Sequence, residues 1–206
     1  MRAAALLIPI ALALHAEILD RIAISAGKQV ITESQIIEEI RVTAFLNNQP
    51  VAIDPAEKRK AGERLLEQTL MRRDMEFTHY PLPALSDADE PLQHIQSEHT
   101  PEDLPKYGIT QDQLKEHLWW QLTMLRFIDY RFRPAVRISE AEIRDYYAKQ
   151  QAEWVQQGLA KIPTLEESRA DIEKILTEQR VDQAVDRWLG DARTRLNILY
   201  HDEAFQ

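Results

Sequence analysis

The stretch ILDRIAISAGKQVIT, residues 18–32, decides the fold, because it predicts a β-hairpin at the start of a chain that is otherwise rich in helix formers. Its first half is rich in isoleucine, which favours extended backbone. Ala26-Gly27-Lys28 supplies a turn, and Val30-Ile31 lies on the return strand. A hairpin alone is not stable in water, so this one needs a partner elsewhere in the chain.

The partner that we expect lies at the other end of the chain, where LNILY, residues 196–200, leaves the last helix as a short strand. Pairing this strand with the hairpin brings the two ends of the chain together and lets the helices pack into one body. The fold class that we predict is therefore mainly α, with a small antiparallel sheet made of the N-terminal hairpin and the C-terminal strand.

Helix-start signals divide the sequence between the two strand regions. In a capping box, a Ser or Thr side chain bonds to a free N–H of the first turn, and a Glu or Gln three residues later bonds back. This pattern begins at Thr32, Thr110, Ser139 and Thr164, and Asp54 before Pro55 forms a further helix start. The predicted helices cover residues 33–47, 55–79, 87–99, 111–133, 140–157 and 165–195.

The first residues, MRAAALLIPIALALHA at positions 1–16, predict a signal peptide. One arginine precedes an apolar run that is too short to cross a bilayer comfortably, and Ala16 is the expected cleavage site. We therefore predict a periplasmic protein that starts near Glu17; the alternative is a buried N-terminal helix. The chain has no cysteine and no second long apolar segment, so we expect neither a disulfide nor a membrane span in the mature protein.

Charge and motifs argue against nucleic-acid binding and against the common enzyme classes. With a formal net charge of −9, the chain has no overall positive charge to balance the phosphates of a nucleic acid. The histidines show no metal-ligand spacing, and the sequence has no cysteine nucleophile, no GxSxG motif and no glycine-rich phosphate loop. We accordingly predict no catalytic residue, no metal, no cofactor and no enzymatic activity.

Four segments together resemble the SurA-type periplasmic chaperones and their parvulin-containing relatives. The segments are EILDRIAISAGKQVITESQIIEEI (17–40), RLLEQTLMRRDMEF (64–77), YGITQDQLKEHLWWQLTMLRFIDYRFRPAVRISEAEIRDYY (107–147) and LEESRADIEKILTEQRVDQAVDRWLGDARTRLNILY (165–200). The resemblance rests on the order of elements and covers nearly all of the mature chain. It implies a chaperone for unfolded outer-membrane proteins that acts without ATP, and one or more parvulin isomerase domains.

The sequence departs from this family at the place where an isomerase domain is expected. Only the 15 residues AKQQAEWVQQGLAKI lie between Tyr147 and Pro163, and they contain no His, Met or Phe. Prolyl isomerase activity is therefore not implied. We predict one SurA N-terminal-like chaperone domain over 17–206: an N-terminal part (17–136), a connector in place of the parvulin domain (137–163), and a C-terminal helix and strand (164–206).

The segment LWWQLTMLRFIDYRF, residues 118–132, carries the candidate binding residues. At 100° per residue its apolar side chains surround most of the helix, a pattern of either a central helix or one with a client-binding face. The first interpretation makes it the core helix of the bundle. The second makes it one wall of a groove for peptides, because aromatic and Met side chains give adaptable apolar contact. The candidate peptide-binding residues are Trp119, Trp120, Met124, Phe127 and Tyr130.

The function predicted from the sequence is an ATP-independent periplasmic holdase that binds unfolded or partly folded exported polypeptides through an apolar groove. The main alternative is a non-chaperone interaction or assembly subunit of the cell envelope that recognises one partner, and a third is a prolyl isomerase with a hidden site. The long helix and short hinge over 140–163 would also allow a homodimer formed by domain swapping.

Overall fold

The computed structural model describes residues 20–100, 102–158 and 161–206, so the predicted signal peptide and Ile18 lie outside the described residues. The described part is mainly helical with one small antiparallel sheet, which confirms the predicted fold class. In chain order its strands and α-helices are β1 (Ile22–Ala26), β2 (Gln29–Thr32), α1 (Glu33–Leu46), α2 (Pro55–Phe77), α3 (Asp89–Glu98), α4 (Asp103–Tyr107), α5 (Gln111–Phe132), α6 (Glu140–Gln156), α7 (Leu165–Thr194) and β3 (Ile198–Tyr200).

The sheet joins the two ends of the described chain in the strand order β2-β1-β3, which confirms the predicted pairing. The turn between β1 and β2 uses Gly27 in the left-handed region at φ 63°, where a residue without a Cβ is favoured. The N–H of Gly27 donates to Asn197 O at 3.2 Å, and the N–H of His201 donates to Ala23 O at 2.9 Å. Strand β1 is therefore hydrogen-bonded on both sides.

The predicted helix starts are confirmed by the capping geometry. Each of the four capping boxes has both hydrogen bonds in place, and the Asp54 carboxylate accepts from the N–H groups of Ala56 and Glu57. The helix that was not predicted is α4, which has only five residues, contains Pro105 and lacks a side-chain cap. It ends at Gly108, whose φ of 68° is also left-handed.

The buried side chains form two clusters. The main cluster lies between the sheet, α2, α5 and the second half of α7, and includes Ile24, Leu66, Phe127 and Val185. The second cluster joins α1, α3 and the start of α5 around Phe45 and Leu114. Helix α5 contributes to both clusters, which agrees with the interpretation of 118–132 as a central helix.

The predicted connector, residues 137–163, contains α6 and its flanking turns, and Leu159 and Ala160 within it lie outside the described residues. Helix α6 packs mainly against α7. Arg169 pairs with Glu140 at 2.6 Å, and the Tyr147 hydroxyl donates to Pro163 O at 2.7 Å. We call α6 and residues 165–180 of α7 the two-helix arm. No α/β lobe occurs in the part of the chain that the structure describes.

A buried lysine fastens the C-terminal tail to the N-terminal half of the molecule. The Lys58 ammonium, on α2, donates to Glu33 Oε1 at 2.7 Å, to Ala204 O at 3.3 Å and to Gln206 O at 2.7 Å. Phe205 is buried beside it and packs against α2 at Gly62, where an added Cβ would lie 3.1 Å from the Phe205 ring. The same ammonium thus joins α1, α2 and the tail.

Replacing Lys58 by methionine tests this fastening, because it removes the ammonium and leaves buried oxygen acceptors without their donor. We expect the free energy of unfolding to fall by about 2 kcal/mol, as measured by urea denaturation. The matched control is Lys60→Met on the same helix, since Lys60 is 67% exposed and forms only a 3.6 Å surface pair with Glu57. We expect that control to change stability by less than about 0.5 kcal/mol. Equal losses in the two variants would contradict the role given to Lys58.

Candidate functional site

A large cleft lies between β2, α1, α2 and α5, and His79, Tyr80 and Leu82 also line it. Its volume is about 760 Å³, large enough for several side chains of a bound polypeptide or for a small molecule. Apolar side chains in its lining include Val30, Leu65 and Trp120, and they alternate with amides and charged groups. We refer to it below as the α1–α2–α5 cleft.

Trp120 and Arg72 form a stacked pair in the wall of the cleft. The Arg72 guanidinium lies 3.6 Å from the centroid of the Trp120 ring, which is a close cation–π contact. The Arg72 Nε is buried and has no hydrogen-bond partner among the described residues. Burial lowers the pKa of the guanidinium, while the carboxylates of Glu116 and Glu76 act in the opposite direction. Because arginine stays protonated, this pair presents a positive charge and an aromatic surface side by side.

A buried carboxylate on α1 ties the cleft walls together. Glu39 Oε1 accepts from Arg64 Nε at 2.9 Å and from the Thr43 hydroxyl at 3.3 Å, and Glu39 Oε2 lies 3.3 Å from His117 Nδ1. Burial raises the pKa of this carboxyl, but the hydrogen bonds and positive charges of His117 and Arg64 outweigh it, so the pKa lies below its ordinary value. The contacts link α1 to α2 and α5, the three helices that line the cleft.

The cleft lining has an excess of negative charge. Its described residues include four carboxylates and two guanidiniums, the latter on Arg72 and Arg73. The carboxylates belong to Glu38, Glu39, Glu76 and Glu116, and because Arg64 and His117 offset the charge of Glu39, three of them remain against the two guanidiniums. Glu38 also accepts a hydrogen bond from the Gln113 side-chain amide at 2.9 Å. A ligand that carries positive charge is therefore favoured over an anionic one.

The structure separates the five residues predicted to bind peptides. Trp120 lines the cleft, and Met124 is half-buried against the main core cluster. Trp119 contacts Trp120 but packs on the second cluster and donates its indole N–H to Pro83 O at 3.2 Å. Tyr130 is 64% exposed, and its ring contacts that of Tyr80 at a tilt of 51°.

Phe127 has no accessible surface and lies in the main core cluster against Tyr80, so its assignment to a client-contacting surface is corrected. The physical reason is that helical periodicity groups residues by face but does not say which neighbour covers each face. Phe127 is buried in the main core cluster against Tyr80, whereas Trp120, about two turns earlier on α5, lines the cleft.

Sequence reasoning missed Arg72, Glu39, His117 and strand β2 as parts of the cleft. A signal existed for Glu39, because it lies between Ile36 and Ile40 on the apolar stripe of α1, where a solvated carboxylate is not expected. No comparable signal marks Arg72, which lies in the run MRRDMEF on a helix with many exposed charges.

Comparison with models of known protein families and with curated protein sequences finds no match to this chain. In the ranges that the structure describes, no helix combines the length and apolar character needed to cross a bilayer. The same ranges contain no group of three or more His, Asp or Glu side chains arranged to hold a metal ion.

The dependence of stability on pH under acid conditions tests the contacts of Glu39 with Arg64 and His117, which we call the Glu39 network. A carboxyl whose pKa is lowered on folding stabilises the protein above its unfolded pKa, and this contribution is lost as the pH falls through the folded value. Below the ordinary value of 4.5, the free energy of unfolding should therefore drop steeply in the wild type. We expect Glu39→Gln to be less stable near neutral pH and to show a shallower drop, measured by urea denaturation at a series of pH values.

The matched control is Glu38→Gln, which makes the same change of charge on the neighbouring residue but leaves the contacts of Glu39 with Arg64 and His117 intact. In this control the free energy of unfolding should still drop steeply at acid pH, as in the wild type. A Glu39→Gln profile that runs parallel to that of the wild type at every pH would show that the network does not depend on the ionised carboxylate.

Proposed function

We propose that the chain is an ATP-independent periplasmic holdase that binds segments of unfolded or partly folded exported polypeptides. The observation that carries the proposal is the α1–α2–α5 cleft, whose lining offers an aromatic and aliphatic surface beside amide and charged groups. A polypeptide presents both kinds of surface, since its side chains are mixed and its main chain is polar at every residue. The resemblance of the sequence to SurA-type chaperones supports the same proposal.

The composition of the cleft favours loose recognition over tight recognition of one ligand. Trp120 and the half-buried Tyr80 supply apolar contact without a demand for one sequence. The side-chain amides of Gln29 and Gln68 also face the cleft, and each can donate to or accept from a peptide main chain. Clients lose conformational entropy on binding, so the affinity for any single segment should be modest.

An interaction subunit with one dedicated partner is the second candidate, and the two-helix arm favours it. The arm carries Val155 at 61% exposure and Ile175 at 36%, apolar positions that a specific partner would cover. Prolyl isomerase activity is not proposed, because the connector that replaces the parvulin domain in the sequence is occupied by α6.

A comparison of two tryptophan variants tests the holdase. Trp120→Ala removes the aromatic surface of the cleft, whereas Trp154→Ala removes a half-buried tryptophan of the two-helix arm. If clients bind in the cleft, half-maximal suppression of aggregation should need about tenfold more of the Trp120→Ala protein, because a central aromatic contact typically contributes this much to binding. The Trp154→Ala protein should suppress aggregation like the wild type.

The readout is light scattering from several chemically unfolded, unrelated proteins, with the fold of each variant checked by circular dichroism. A holdase delays the aggregation of most of them, whereas a dedicated partner protein delays none. Full suppression by folded Trp120→Ala would place client binding outside the cleft, and a loss confined to Trp154→Ala would place it on the two-helix arm.

A further inference from the structure

Strand β2 has a free long edge within the described residues, and that edge borders the cleft. The order β2-β1-β3 gives β2 one partner strand, on its inner side. All of Gln29, Val30 and Ile31 line the α1–α2–α5 cleft. An edge strand offers unpaired N–H and C=O groups to any extended chain that approaches it.

The hydrogen bonds of β1 fix which groups of β2 face outward. On the β3 side of β1, the Gly27 N–H and the Ala23 C=O both form hydrogen bonds to the C-terminal segment. Ser25 lies midway between these two residues and opposite Leu199, so its main-chain groups also point toward β3. Main-chain groups alternate in direction along a strand, so those of Ile24 and Ala26 point toward β2. Val30 pairs with Ser25 in the register of the hairpin. Its own N–H and C=O must therefore point away from β1, along the outer edge.

Val30 is the residue of β2 whose main chain is best placed to take a new partner. The next outward N–H, that of Thr32, already donates to Gln35 Oε1 at 2.9 Å in the capping box of α1. Val30 is 49% exposed, so a chain can reach it without displacing core residues. Pairing at one residue supplies two main-chain hydrogen bonds, and the neighbouring glutamine amides of the cleft can extend the contact.

We propose that an extended client segment adds to the sheet by pairing with Val30, and that the preferred segment alternates apolar and basic residues. This inference rests on the proposed function and assigns the mode of binding. Pairing through the main chain gives affinity with little demand on sequence, while the flanking surface sets the preference. One face of such a strand would meet Trp120 and Leu65, and its basic side chains would meet the carboxylates of Glu38, Glu76 and Glu116.

Binding of a fluorescently labelled peptide of about ten residues that alternates valine and lysine tests the inference, since in an extended strand the valines lie on one face and the lysines on the other. Val30→Pro removes the outward N–H without removing a hydrogen bond to β1, and proline is tolerated at such edge positions. Val30→Ala keeps the N–H and removes most of the side chain. We expect Val30→Pro to bind about tenfold more weakly than Val30→Ala, because one charge-neutral donor is lost from a partly desolvated site.

A peptide that alternates valine and glutamate serves as the matched ligand for charge, and it should bind the wild type more weakly than the lysine peptide. Equal binding by folded Val30→Pro and Val30→Ala would overturn the pairing, as would failure of the wild type to bind the lysine peptide. Equal binding of the two peptides would overturn the preference for basic segments.

Amide exchange in the wild type gives a second measurement that needs no variant. Saturation with the lysine peptide should slow exchange of the Val30 N–H by about tenfold or more, because a new main-chain hydrogen bond protects it. The control amide is that of Tyr200, which points outward from β3 by the same alternation but lies away from the cleft. Unchanged exchange at Val30, or equal slowing at both residues, would contradict pairing at β2.

The two proposals fail in different ways. If the wild type suppresses aggregation but Val30→Pro and Val30→Ala do so equally well, the holdase stands and the strand-pairing mode is wrong. If the wild type does not suppress the aggregation of any client, the holdase itself is wrong, whatever the peptide binds.

Discussion

The fold depends on closure of the chain ends across β1. This strand is buried at Ala23, Ile24 and Ala26 and bonds to β2 on one side and to β3 on the other. The short β3 could not remain on the sheet through its three residues alone, and the tail that follows it is held by Phe205 against α2 and by the buried Lys58 ammonium. Closure therefore combines a small ladder of main-chain bonds with one charge on α2 that bonds to both α1 and the tail.

The pairing of the chain ends also determines where the cleft lies, because α2 contacts the paired ends and also lines the cleft. One side of α2 contacts the sheet and tail at Lys58 and Gly62, and its later turns contribute Arg72 and Met75 to the cleft lining. The Glu39 network then fixes α1 relative to α2 and α5. As a result, the free edge of β2 and the Trp120 surface face the same space, and the proposed client would contact both. The two-helix arm lies outside this arrangement, and its helix α6 packs mainly on α7.

Much of the fold could be predicted because its signals are local. A capping hydroxyl and the residue three positions later determine a helix start, and the glycine in Ala26-Gly27-Lys28 determines the hairpin turn. The position of Phe127 could not be predicted, because α5 is apolar on most sides and only tertiary packing decides which side is covered. The same applies to Arg72, whose stacking on Trp120 depends on the distance between two helices that are remote in sequence. The sequence also could not show that β2 has a free edge, because this depends on β3 pairing with the other side of β1.

Closure of the chain ends is tested most directly by an NMR measurement of contacts between β1 and β3. We expect cross-strand proximity between Ser25 and Leu199 and slow exchange of the Gly27 and His201 amides, which bond from one strand to the other. All of these signals should persist until the whole domain unfolds, because the closure belongs to the cooperative core. Fast exchange at both amides together with no Ser25–Leu199 contact would show that the ends stay apart, and the cleft as described here would not exist.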